Sequence, residues 1–407
     1  MKILSSKVIL NTNLLAVLMA GFASGLPLAL TGATLQAWLT EANVNLLKIG
    51  ALSFLGLPYI WKFLWSPLFD KYTVLLKDKR KGWMLLTQLL LAACLFAVAQ
   101  FDPKHSLQII LLFMVCIAFL SASQDIVIDA YRTNILPVQT RGVGAAYFIF
   151  AYRMAMLVSG GVALLLADHY GWQATYKIMA GLMLLCVLAT LLSPNVKTNP
   201  VTESAVFKQA FKSLLQHKAI ALIMFFIVFY KLGDALALSL LTNFLLHGLG
   251  FSLSQIGLAM KSVSLVATIL GAFIAGLCLV RLGLYRGLLY FGLAQAFSNL
   301  TFLGLALVGK SYSLMVSVIF IENFCSGMGT AAFMAFFMSL CAEKYTATQY
   351  AYLSALAAIG RVLLGPFAAI IVMKVGWVNF FGCAFLLSLP GMAALILLKK
   401  RVNFNVA

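Results

Sequence analysis

Residues 121–132 read SASQDIVIDAYR, and they close an apolar run that opens at residue 107 as LQIILLFMVCIAFL. A run of this kind is long enough to cross a bilayer, which takes ~20 mainly apolar residues. Into it the sequence places Asp125 and Asp129, with Ser121 one turn earlier. The i, i+4 spacing stacks these side chains on one helix face. A carboxylate in hydrocarbon is costly, so such acids face an internal cavity and mark an ion or proton path. The stretch reads as part of a proton-driven carrier.

Composition sets the class. The 407 residues are 63% hydrophobic and only 10% charged, against about 25% charged in soluble domains. Most of the chain belongs in lipid. The formal charge of +18 does not imply nucleic acid, because the basic residues lie singly between apolar runs and form no exposed stripe. The seven cysteines fall inside apolar runs without metal-ligand spacing and read as small packed hydrophobes. The N-terminal MKILSSKVIL leads into an apolar run too long for a signal peptide, so an uncleaved first span is expected. With no nucleotide loop, metal cluster or nucleophile triad, neither an enzyme, a cofactor nor a metal is expected.

Apolar runs occur at roughly 13–38, 49–69, 83–101, 107–131, 142–167, 174–193, 219–246, 255–280, 288–308, 312–340, 349–373 and 379–398. The expectation is an all-α membrane protein with twelve transmembrane helices. The long polar linker, 194–218, divides it into six-helix bundles over 1–193 and 219–407. Nineteen Lys and Arg in connections on one side face five on the other, so both termini are expected in the cytoplasm.

The halves repeat at an offset of 208 residues, which aligns Gly25 with Gly233, Thr140 with Thr348 and Arg153 with Arg361. Further on, Gly171-Trp172 answers Gly376-Trp377. Two six-helix halves joined by a cytoplasmic linker describe the major facilitator architecture, whose site lies between the halves near the midplane. The repeat fails where Asp125 and Asp129 meet Phe333 and Phe337, so proton chemistry is expected in the first half and substrate contacts more in the second.

Five basic residues (Lys62, Arg153, Lys231, Lys261, Arg361) and four acids (Asp125, Asp129, Asp234, Glu322) fall within the spans. One central charge costs about 2.5–3.5 kcal/mol on insertion scales, so the near balance suits an internally paired cavity. Asp125 is the first choice for the proton site, the alternative being a fixed ion pair to Arg153. Asp129, nearer the cytoplasmic end, pairs with Arg132 or Arg141 as part of a gate, or serves the proton. Arg153 and Arg361 suit either an internal acid or an anionic substrate; Arg153 is assigned to the proton-coupling acids and Arg361 to substrate, as are Lys231, Asp234, Lys261, Tyr230 and Tyr152. Lys231 and Asp234 at i, i+3 alternatively satisfy each other. Glu322 and Asn323 contact ligand or pair with Lys261. Lys62 snorkels or pairs locally. Glycines in GFASG (21–25), SGG (159–161) and GMG (327–329) are read as helix-packing surfaces.

The connection WSPLFDKYTVLLKDKRKGW (65–83) resembles a degenerate facilitator loop motif, G-x-L-x-D-R-x-G-R-K, without its glycines. The resemblance implies a cytoplasmic gate at Asp70 and Lys71, with Lys79 and Arg80 matching more loosely. A plain positive-inside anchor has the same basic cluster.

Longer blocks carry a closer likeness. GFASGLPLALTGATLQAWLT (21–40), KFLWSPLFDKYT (62–73), SASQDIVIDAYRTNILP (121–137), RGVGAAYFIFAYR (141–153), LVSGG (157–161), VFYKLGDALALSL (228–240), ENFCSGMGTAAFMA (322–335) and TATQYAYLSAL (346–356) resemble AmpG-type muropeptide permeases. That resemblance runs through all twelve runs. It implies proton-driven import of GlcNAc-anhydro-muramyl peptides across the bacterial inner membrane, for cell-wall recycling and, in some bacteria, β-lactamase induction. Asp125, Asp129, Lys231, Asp234 and Glu322 lie inside matching blocks. Some family members continue into further C-terminal hydrophobic segments; this chain ends at KKRVNFNVA, and any regulatory role of such an extension is expected to be missing. The expected partners are the substrate, a proton and membrane lipid, with a monomeric protein. The charge pattern alone suits another anionic solute, such as a peptide, an amino sugar or an acyl-CoA, nearly as well. An integral-membrane enzyme acting on lipid-linked sugars would need grouped carboxylates in a cytoplasmic loop, and a receptor would need a folded loop domain.

Overall fold

The computed structural model describes residues 11–42, 44, 51–196, 206–217, 219–252, 255–256, 259–401 and 404. Among them the regular structure is helical: α1 (Thr12–Thr31), α2 (Ala33–Glu41), α3 (Leu57–Trp61), α4 (Pro67–Lys71), α5 (Lys79–Val98), α6 (Pro103–Ile135), α7 (Arg141–Leu157), α8 (Ala163–Leu192), α9 (Val206–Leu215), α10 (Ile220–Tyr230), α11 (Leu232–Ser239), α12 (Ser264–Val308), α13 (Tyr312–Leu340) and α14 (Thr346–Leu398). Among the described residues, eight helical stretches are long and apolar enough to cross a membrane. Their outer faces keep large apolar side chains such as Leu112, Leu165, Leu192 and Met373 exposed, as lipid-facing surfaces require.

Local chemistry sets the ends. Asp78 caps α5 by accepting from the Arg80 and Lys81 amides, and Asp102 caps α6 beside Pro103. Three helices are broken at Gly171, Gly283 and Gly376, with φ of 78°, 74° and 74°. Their ψ values of 164°, 165° and 172° put all three in a region open essentially to glycine alone. The Gly171-Trp172 and Gly376-Trp377 correspondence thus extends to backbone conformation.

One reading is corrected. The apolar run 49–69 is no continuous helix over its described part: a 3₁₀ turn, Ala51–Gly56, leads into α3, a second 3₁₀ turn and α4. Pro58 and Pro67 stand near the starts of these pieces, where a missing N–H costs nothing. The polar linker 194–218 holds a helix, α9, with Ala210 and Leu214 buried and Lys212 exposed; residues 197–205 and 218 lie outside the described residues.

The chain forms two compact units. The first comprises Met1–Pro137, Tyr147–Ala210 and Cys341–Ala351; the second comprises Val138–Ala146, Phe211–Leu340 and Tyr352–Ala407. In the first, α5 packs on α6 and α8, and α1 packs on α6 and α8. There α1 also lies against α7, because a Cβ on Gly25 would sit 2.5 Å from the Tyr152 carbonyl oxygen. In the second, α12 packs along α13, and Leu236, Phe244, Phe302, Ile319, Phe380 and Phe381 share an apolar core.

Candidate functional site

In the first unit, α6 carries both acids of the opening stretch. Asp125 accepts a 2.5 Å hydrogen bond from the Ser24 hydroxyl of α1. The Tyr59 hydroxyl lies beside Ser121, within electrostatic reach of Asp125. One turn on, Asp129 is 2.8 Å from the Arg132 guanidinium and 3.8 Å from the Lys62 ammonium. The two acids therefore differ: Asp129 is neutralised by two cations, whereas Asp125 meets a neutral hydroxyl.

Arg132 is almost fully buried. It donates to the Tyr350 hydroxyl, and its guanidinium lies over the rings of Phe148 and Tyr350, 4.2 and 5.1 Å from their centroids. Asp129 thus pairs with Arg132, and Lys62 pairs locally with the same carboxylate. The alternative Asp125–Arg153 pair does not form. Among the described residues Arg153 makes no ion pair, and Asp125 turns to Ser24 across the α1–α6 contact instead. Arg141 donates to the Met338 carbonyl in the second unit. Tyr152 is half-buried and stacks on Phe148.

Asp70 is fully buried at the end of α4. It accepts from Arg80 at 2.7 Å, from the Thr348 amide and hydroxyl at 2.8 and 2.6 Å, and from the Ala347 amide at 3.3 Å. A carboxylate from the first half of the chain thus caps amides in the first turn of α14. Arg80 also donates to the Phe69 carbonyl and to Asn134, and Asn134 donates to Thr346. Lys71, the other residue expected here, is exposed and lies over the Tyr72 ring. The helical turn of α4 aims Asp70 inward and its neighbour outward, so Arg80 fills the place read for Lys71.

The second unit holds a separate polar cluster. Lys231 donates to Gln295 at 3.0 Å and to the Ser326 carbonyl at 3.4 Å, and stands 3.9 Å from Asp234. The buried Glu322 carboxylate acts on it electrostatically. Asn323 donates to the Ile319 carbonyl and accepts from Thr268. The helix itself breaks here: Lys231 has φ −108° and ψ 3°, separating α10 from α11, and Leu240 repeats the break with φ −120° and ψ 15°. Interrupted helices are where transporter sites are built. Tyr230 instead joins the core: it stacks on Phe333 at 4.9 Å and donates to the Leu288 carbonyl. The side chains of Lys261 and Arg361 lie outside the described residues. Ser24, Tyr350 and Gln295 escaped the sequence reading, and Thr348 entered it only as a repeat position, since uncharged polar residues carry no mark of their own within an apolar run.

The Major Facilitator Superfamily model matches residues 14–232. An anhydromuropeptide permease of Escherichia coli K12 is 44% identical over 393 residues, covering 95% of this chain and 80% of the relative. A putative transporter AmpG 4 of Rickettsia conorii is 30% identical over 414 residues, covering 98% and 99%. The crystal structure of the major facilitator transporter FucP in the outward conformation superposes with a TM-score of 0.72 at 12% identity, covering 97% of this chain and 99% of that one. The human organic anion transporter MFSD10 gives a TM-score of 0.68 at 15% identity, with 94% and 98% covered.

Proposed function

The chain belongs to the major facilitator superfamily and, within it, to the anhydromuropeptide permease family, and from that premise we propose that it imports GlcNAc-anhydro-MurNAc peptides from periplasm to cytoplasm with protons. It is a multi-pass membrane transporter of small molecules and not an enzyme. The reading extends to twelve spans in bundles over 1–193 and 219–407, both termini cytoplasmic, in the bacterial inner membrane as a monomer. The observation that carries it is the 44% identity to a permease of that substrate along nearly the whole chain.

The geometry supports a division of labour. Asp125 accepts from one hydroxyl and faces neighbouring charges of both signs, Lys62 and Asp129. Protonating it breaks no ion pair, so a proton can enter and leave as the cavity's access alternates. Asp129 lies between Lys62 and Arg132 and holds Arg132 against Tyr350. The Asp70 and Arg132 contacts to residues 347–350 form a gate that releases when the cytoplasmic side opens. Lys231, Asp234, Glu322 and Asn323 form the substrate-facing group of the second half. Lys231 is the donor for a peptide carboxylate, exchanging its Gln295 and Asp234 contacts for the substrate's.

The test is uptake of radiolabelled GlcNAc-anhydro-MurNAc-tripeptide by cells lacking their own permease. Protonophore-sensitive uptake, competed by the unlabelled compound and not by a free tripeptide, is expected. Absence of uptake from a membrane-inserted protein returns the substrate to another anionic solute.

A further inference from the structure

In the second unit, a groove of about 500 Å³ runs between the start of α10 and the end of α14, lined by Ala219, Ile220, Ala221, Leu222, Phe225, Leu397 and Arg401. Its wall is aliphatic and aromatic except for one cation. Arg401 sits in the turn after α14, exposed, and makes no ion pair with any described acid. Its neighbour Lys399 is committed to the face of Tyr285, 5.2 Å from the ring centroid. Lys400 is exposed and does not line the groove.

We propose that this groove is a binding site for an anionic phospholipid, its phosphate on the Arg401 guanidinium and one acyl chain along Leu222, Phe225 and Leu397. A guanidinium offers paired donors that fit phosphate oxygens bidentately. An apolar trough at the end of membrane-spanning helices shelters an acyl chain, each buried methylene adding ~0.8 kcal/mol. A polar solute would find no second hydrogen-bonding side chain to orient it. Seven lining residues fall far short of the roughly 20–30 residues a side of a stable protein interface. Charge complementarity therefore selects a lipid with a net negative headgroup. The site is independent of the transported substrate.

The test uses the full chain in nanodiscs, with phosphatidylglycerol or phosphatidylcholine carrying a photoreactive group in one acyl chain, and peptide mapping of the label. Phosphatidylglycerol is expected to label the peptides spanning 219–225 and 397–401 about fivefold more than phosphatidylcholine, from roughly one basic contact. Arg401→Gln is expected to bring that labelling down to the phosphatidylcholine level. Lys400→Gln removes the same charge beside the groove and is expected to leave it unchanged. An internal control is the groove at α12 and α13 whose described lining, including Val266, Val316, Ser317, Phe320 and Ile321, carries no charge, and which should take up both lipids alike in every variant. Equal labelling by the two lipids at 219–225 and 397–401, or labelling that survives Arg401→Gln, overturns the proposal, as does an equal loss in Lys400→Gln.

Discussion

Asp70→Asn probes the gate with the least change of shape. The native carboxylate accepts one bond from Arg80 and three from the first turn of α14. Hydrogen bonds to a charged group are worth ~1.5–3 kcal/mol each, and removing one member of a buried pair costs ~3–5 kcal/mol. The amide can accept from only some of these donors, and its own N–H groups then face Arg80 or the helix amides. If the contact exists only while the cytoplasmic side is closed, a loss of ~3 kcal/mol shifts the closed–open equilibrium roughly 150-fold toward open. The assay is maleimide labelling of a cysteine placed at buried Thr133, beside Asp129, with the seven native cysteines replaced. In inside-out vesicles the Asp70→Asn variant is expected to label much faster, and its net uptake to fall. The double variant Asp70→Asn with Arg80→Gln removes the stranded cation and is expected to recover membrane level without recovering slow labelling. Unchanged labelling and unchanged uptake in Asp70→Asn would refute the gate.

Three further outcomes are expected. Lys231→Met leaves buried Asp234 without its ion pair, a loss of ~3–5 kcal/mol; the protein level in the membrane should fall, and adding Asp234→Asn should restore the level but not uptake. Gly25→Ala drives a methyl against the Tyr152 carbonyl and should lower the thermal midpoint, at ~1–3 kcal/mol, whereas Gly160→Ala, whose new Cβ would meet Ala29 at an ordinary 3.5 Å, should not. Tyr350→Phe removes one acceptor of Arg132, leaving Asp129, and keeps the ring; uptake should change more than stability, as read by initial rate against melting temperature.

The spans were legible because hydrocarbon demands long apolar runs, and most helices lie where those runs were read. The Asp129–Arg132 pair was legible too, since i, i+3 spacing on a helix brings side chains together whatever the fold. Legibility ended where contacts depend on tertiary approach. Asp70 and Thr348 are 278 residues apart in sequence, and no local pattern joins them. The break at Lys231 has no proline to announce it. Arg153 was read as the alternative partner of Asp125, and no sequence pattern says which face of a neighbouring helix approaches. Lys71 and Arg80 were both candidates for the gate cation, and only the direction of α4 separates them.

We propose that Asp125 carries the proton, and the most direct test is proton movement itself. Proteoliposomes with an internal pH dye would receive external anhydromuropeptide, with wild type and Asp125→Asn compared at equal incorporation. The expected result is substrate-dependent acidification of the lumen for wild type and none for Asp125→Asn, which should still exchange labelled for unlabelled substrate. Acidification by Asp125→Asn at the wild-type rate would contradict it.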